Sequence, residues 1–138
     1  MKVDSILNGT VIDHIEAGKG MTLFKLLELG KLECPVAIIK NVPSKKMGKK
    51  DIIKIDGDVP IDFDVIGYVD PAATINIIKG GVLIEKRNCC LPEQLKNVVY
   101  CKNPRCITSV EQEIDHIFKL TDRENKVYRC IYCETKAN

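Results

Sequence analysis

Tryptophan is absent from this 138-residue chain, and aromatic residues make up only 5% of it. Few rings are therefore available to stack on bases, which argues against a single-stranded nucleic-acid binder. An excess of charge is missing too: 21 basic and 19 acidic residues leave a net charge of +2, with no long block of either sign. Bulk electrostatics thus calls for no polyanionic partner. No apolar run approaches the ~20 residues of a membrane span, and Met1–Ser5 is polar rather than signal-like. The expectation is a cytoplasmic protein without membrane or nucleic-acid partners. Phosphate loops of the P-loop and G-x-G-x-x-G types are also lacking; Gly18-Lys-Gly20 is too short a match.

What the chain has is cysteine, seven in all, an odd number that fits a disulfide framework poorly. Cys101, Cys106, Cys130 and Cys133 form a C-x4-C … C-x2-C arrangement. Two close-spaced pairs on tight turns can converge so that four thiolates enclose Zn²⁺ at about 2.3 Å each, leaving no open position for substrate. The predicted role is structural; iron or an iron–sulfur centre is the rival metal. Cys34, Cys89 and Cys90 lie outside this set and read as small, reduced, semi-buried residues.

Hydrophobic periodicity places a strand at Thr10–Ile15 and a helix of roughly ten residues after Gly20, ended by Gly30 in a left-handed conformation. Strands follow at Pro35–Val42 and Asp51–Ile55, joined by a basic turn, Pro43–Lys50, that is either a solvated loop or an anion site. A second helix is expected over Val59–Val69, capped by Asp58 with Pro60 in its first turn. Ala73–Ile78, Gly80-Gly81 and Val82–Lys86 read as a hairpin, since two glycines supply the positive φ of a two-residue turn. The succession β-α-β-β-α-β plus one strand is the ferredoxin-like pattern: one antiparallel sheet with helices on one face and the other face free.

Leu91-Pro-Glu93 marks a connection, so the division falls into 1–92 and 93–138. In the second module Ile114, His116, Phe118 and Leu120 alternate along a predicted strand, giving a small antiparallel β zinc domain of the α+β class. It lies below the ~70–80 residues at which a hydrophobic core suffices, and metal binding supplies the difference.

The candidates for chemistry in the first module are scattered. Asp13 and His14 are neighbours on a strand and should point to opposite faces, which excludes a simple acid–base couple. His116 is expected to be a strand residue rather than a ligand. Asp13, His14, Lys50, Lys54, Asn76 and Lys86 are either solvated strand positions or a nucleotide site, with cations on phosphates and a carboxylate on ribose.

Several stretches together resemble the regulatory chains of aspartate carbamoyltransferase along nearly the whole length. They are Gly9-Thr-Val-Ile-Asp-His-Ile15, Phe24-Lys-Leu-Leu27, Pro43-Ser44, Met47-Gly48, Lys50-Asp51, Ile53-Lys-Ile55, Ala73-Thr74 with Asn76, Leu91-Pro-Glu93, Asn97-Val98, and the cysteine set with Glu134 behind it. The resemblance implies a non-catalytic subunit of pyrimidine biosynthesis, with an allosteric domain that binds CTP and ATP and pairs with a second copy. Its zinc domain would contact the catalytic chain, linking two catalytic trimers through three regulatory dimers. Position by position it implies Asp13 on ribose, His14 and Lys86 on phosphates, and Lys54 near ribose and pyrimidine. Ile6, Gly81 and Leu83 would line the base pocket, with Lys50 and Asn76 at its edge. Two departures stand out. Only five residues precede Ile6, where the family's longer arm helps form a second, metal-assisted nucleotide site, and Gly81 stands where a tyrosine is familiar. The alternative is a freestanding zinc-ribbon protein binding nucleic acid through Lys45–Lys50 and Arg105.

Overall fold

A computed structural model describes residues 5–137 of the chain. It divides into two compact units, Met1–Cys90 and Leu91–Asn138. In the first, β1 (Gly9–Glu16), α1 (Gly20–Leu26), β2 (Val36–Ser44), β3 (Gly48–Ile55), α2 (Phe63–Val69), β4 (Thr74–Lys79) and β5 (Val82–Asn88) follow one another. Every pairing is antiparallel and the sheet order is β2-β3-β1-β4-β5. That is the expected ferredoxin-like sheet with β5 added outside β4.

Strand period two sorts the side chains. Ile53 and Ile55 on β3 and Ile75 on β4 turn to the same face as Ile12 on β1, where Leu23 of α1 and Ile66 of α2 close the core. Fully burying each such side chain contributes about 1.5–3 kcal/mol. Ile12 and Ile15 are three apart, yet both are wholly buried. A bulge in β1 between them resolves the mismatch, with His14 at φ 56° absorbing the extra residue. The bulge overturns the expectation that Asp13 and His14 diverge: the His14 Nδ1 lies 4.0 Å from an Asp13 carboxylate oxygen.

β2 bulges as well, between Ile39 and Val42, with Asn41 at φ 60°. Both irregularities flank the same stretch of β3. Asp51, in phase with Ile53 and Ile55, is fully buried there, and its carboxylate accepts from the amides of Gly18, Gly20 and Asn41, each at 3.0 Å. A Cβ at Gly20 would stand 2.8 Å from that carboxylate, which is why a glycine opens α1.

Helix boundaries differ from the sequence reading. α1 runs only seven residues; Glu28 takes the left-handed conformation (φ 55°), and Gly30 sits within a 3-10 turn, Leu29–Lys31, rather than stopping the helix. α2 begins at Phe63 because the Asp62 side chain, not Asp58, accepts the Asp64 amide at 3.0 Å. The β2–β3 hairpin is tighter than expected, its strands reaching Ser44 and Gly48. Gly80 and Gly81 have φ of 60° and 76°, as the two-residue turn requires.

The second unit holds β6 (Gln94–Lys96), α3 (Ile107–Val110), β7 (Ile117–Asp122) and β8 (Val127–Cys130), with sheet order β6-β7-β8. β7 starts after His116, so Ile114 and His116 lie outside the strand predicted for them. Leu91, Leu95, Phe118, Leu120 and Tyr128 are its large buried side chains among the described residues, and the Tyr128 hydroxyl donates to the Pro92 carbonyl at 2.6 Å.

Candidate functional site

Local structure delivers the four cysteines to one point. Cys101 and Cys106 bracket a turn in which the Cys106 amide donates to the Asn103 carbonyl at 3.0 Å, and Cys106 opens α3. Cys130 ends β8, and the Glu134 amide closes the following turn onto its carbonyl at 2.9 Å. All four Sγ atoms lie within 4.8 Å of one another. Cys101 and Cys133 are 3.5 Å apart, and Cys106 and Cys130 3.7 Å. Tetrahedral zinc with bonds of about 2.3 Å spaces its sulfurs by about 3.8 Å, so the set fits the ion.

The surroundings suit thiolates. Each sulfur receives the backbone amide two residues on: Asn103 for Cys101, Thr108 for Cys106, Tyr132 for Cys130 and Thr135 for Cys133. The Thr108 hydroxyl donates to Cys106 Sγ at 3.1 Å and is the main reason that thiol is shifted down. Thr135 Oγ1 lies 3.2 Å from Cys133 Sγ and draws that thiol down to about 6. Burial pushes Cys101 the other way, up to about 12. Four such sulfurs can be ionised together only around a cation, and with all four engaged the site is closed to substrate. His116 is no ligand: its Nδ1 accepts the Cys101 amide at 3.1 Å while its ring packs edge-on to Tyr100 at 4.9 Å. These supporting hydroxyls escaped the sequence reading, although Thr108 and Thr135 each stand two residues beyond a cysteine, and so did the bond from the Cys101 amide to His116.

Of the other predicted residues, Ile6 precedes β1 and Gly81 lies in the β4–β5 turn, while Lys54, Asn76 and Lys86 share the first sheet's helix-free face. Pairing aligns Lys54, Val11, Asn76 and Lys86 in one row across β3, β1, β4 and β5. Three strand spacings separate the two lysine backbones, about 14 Å. Neither lysine has a carboxylate within ion-pair distance among the described residues. Between them, the Asn76 Oδ1 is buried without a hydrogen-bond partner among the described residues. Beside this row, Lys50 Nζ lies 3.0 Å from Asp13 Oδ1, and the His14 amide donates to the same oxygen at 2.6 Å. Burial would raise the Asp13 carboxyl, but the Lys50 hydrogen bond, the His14 amide and the charges of both residues outweigh it and hold it below the usual range. His14 Nδ1 is 3.0 Å from the Thr74 hydroxyl, a partner not anticipated.

Ile6 and Lys54 share a cavity of about 300 Å³. Leu83 is exposed on β5, opposite Ile78, and the Gly81 amide donates to the Leu7 carbonyl at 2.9 Å, fixing the chain before β1 against the hairpin turn. A larger cavity of about 500 Å³, between Asn8, Asp58, Phe63 and Lys79, contains none of the predicted residues. No helix among the described residues is long and apolar enough to cross a membrane.

Comparison with known proteins bears on both sites. Residues 1–90 match the aspartate carbamoyltransferase regulatory chain, allosteric domain, and residues 93–138 match the metal binding domain of the same chain. The chain is 50% identical over 135 residues to an aspartate carbamoyltransferase regulatory chain of Clostridium tetani, covering 97% of this chain and 94% of that one. It is 49% identical over 134 residues to that of Clostridium botulinum strain Hall, covering 97% and 92%. With the chain of Bifidobacterium longum the identity is 42% over 137 residues, 99% of each. The chain therefore belongs to the family of aspartate carbamoyltransferase regulatory chains, non-catalytic subunits with an allosteric and a metal-binding domain, whose four cysteines here suit one structural zinc.

Proposed function

We propose that the chain binds the nucleoside triphosphates CTP and ATP on the helix-free face of its first sheet and passes their influence to the catalytic chain through the zinc unit. The observation that carries this reading is the unpartnered Asn76 Oδ1 between Lys54 and Lys86. A buried carbonyl oxygen without a donor costs about 1–3 kcal/mol, which a ligand hydroxyl or amino group recovers. Lys86 and His14 take the phosphates, Asp13 accepts from the ribose hydroxyls, and Lys54 approaches ribose and pyrimidine. Ile6, Gly81 and Leu83 line the base, with Lys50 holding Asp13 in place at the edge of the site. The spacing of the two free lysines suits an extended triphosphate nucleotide.

The second half of the reading is assembly. Tyr100, Ile107, Val110, Ile131 and Tyr132 are exposed on or beside the cysteine turns, an apolar surface that supports docking on the catalytic chain. The first sheet ends in two open edges, β2 and β5, which support self-pairing through that unit. Three such dimers would link two catalytic trimers in a dodecamer. Nucleotide acts by differential affinity: a ligand that binds one quaternary state better shifts its population, typically by about 1–3 kcal/mol.

Titration calorimetry of Lys86→Ala tests the site. Loss of a cation facing the phosphates should weaken both CTP and ATP by about tenfold. Unchanged affinity for both would refute the placement.

A further inference from the structure

The four zinc sulfurs are unequal in two respects. Cys106 and Cys130 are buried, whereas Cys101 and Cys133 are half-buried, so a reagent from solvent meets only the latter two. Cys133 is sheltered chemically: the Thr135 hydroxyl lies 3.2 Å from its sulfur, and the Thr135 amide and the Asn103 side chain also reach it. Cys101 receives the Asn103 amide alone apart from its fellow cysteines. Its own amide is directed away, to His116. Each hydrogen bond to a thiolate stabilises the lone pairs it would use in attack, so metal-bound sulfurs with fewer donors are the better nucleophiles.

We propose that Cys101 is the modification site of the zinc centre, the sulfur that adds first to a soft carbon electrophile of the α,β-unsaturated carbonyl class. A Cys101 Sγ lone pair forms the C–S bond at the electrophile's β-carbon. The C=C π pair moves to the α-carbon, which takes a proton from water. Cys101 becomes a thioether and leaves the metal with three sulfur ligands, which opens the closed site and releases the ion.

The test uses the zinc-loaded full chain with limiting N-ethylmaleimide. Peptide mass spectrometry follows adducts at the four zinc cysteines, and a chromophoric chelator reports released zinc. Cys90 is exposed and outside the site, so its labelling is scored separately. Cys101 should label at least about tenfold faster than Cys133, the factor a single hydrogen bond of ordinary strength confers, with one zinc released per Cys101 adduct. In Thr135→Val the preference for Cys101 over Cys133 should shrink several-fold without reversing, because the Asn103 side chain still reaches Cys133, and Thr135→Ser, which keeps a hydroxyl, should restore the full preference. First labelling at another zinc cysteine, equal labelling of all four, or a preference for Cys101 that is unchanged in Thr135→Val would each overturn the proposal.

Discussion

At the scale of the residue, Asp13 is the most informative group in the first unit. A strand neighbour of histidine would ordinarily face away from it, but the bulge at His14 gathers Asp13, His14 and Lys50 on one spot. A carboxyl whose folded pKa is depressed contributes stability that is fully present above its unfolded value of about 3.9 and is lost as pH falls through the folded value. Its direction here is downward. Asp13→Asn should therefore cost about 1 kcal/mol at neutral pH, and the difference from the parent should vanish in acid, below pH 4 by roughly the depth of the shift. Denaturant midpoints across a pH series check this. A difference that persists unchanged into strong acid contradicts the pairing.

At the scale of the element, β3 organises the sheet by having a bulge on each side. Asp51 ties the β2 bulge to the chain that leads from β1 into α1, because its carboxylate takes the Asn41 amide and those of Gly18 and Gly20. Asp51→Ala would leave three amides without their acceptor and should lower stability by about 3 kcal/mol or more; a chemical denaturation midpoint close to the parent's would show that water replaces the carboxylate. What could be read in advance follows from how local each cause is. The Gly80-Gly81 turn, the alternation on β3 and the cysteine spacing are written in adjacent residues; the hairpin and the thiol cluster stand where they were expected, and β3 contains the expected strand and extends back to Gly48. The stop at Glu28, the cap at Asp62, the three-residue β6 and the short α3 are settled by tertiary packing, and no periodicity announces them. The candidate nucleotide residues were named from residue type and from resemblance; that Lys54, Asn76 and Lys86 share one row depends on register across four strands, which no local pattern announces.

At the scale of the whole molecule, the two units differ in what holds them. The first has an isoleucine-rich core under two helices; the second has a handful of large buried side chains and a four-sulfur metal site. Structural zinc contributes on the order of 10–16 kcal/mol in model peptides, more than a module of this size gains from burial. Strong chelation should therefore unfold the second unit while leaving the first unit's circular dichroism largely intact, and a second unit that stays folded without metal would remove zinc from its structural role. The central claim is that zinc sustains assembly while nucleotide recognition stands apart from it. The most direct measurement is sedimentation of the chain mixed with an aspartate carbamoyltransferase catalytic chain, before and after zinc removal, with CTP affinity measured on the same samples. The account predicts that the large mixed complex is lost with zinc and that CTP still binds with its original affinity. A complex that survives without zinc, or nucleotide binding that disappears with it, would contradict the account.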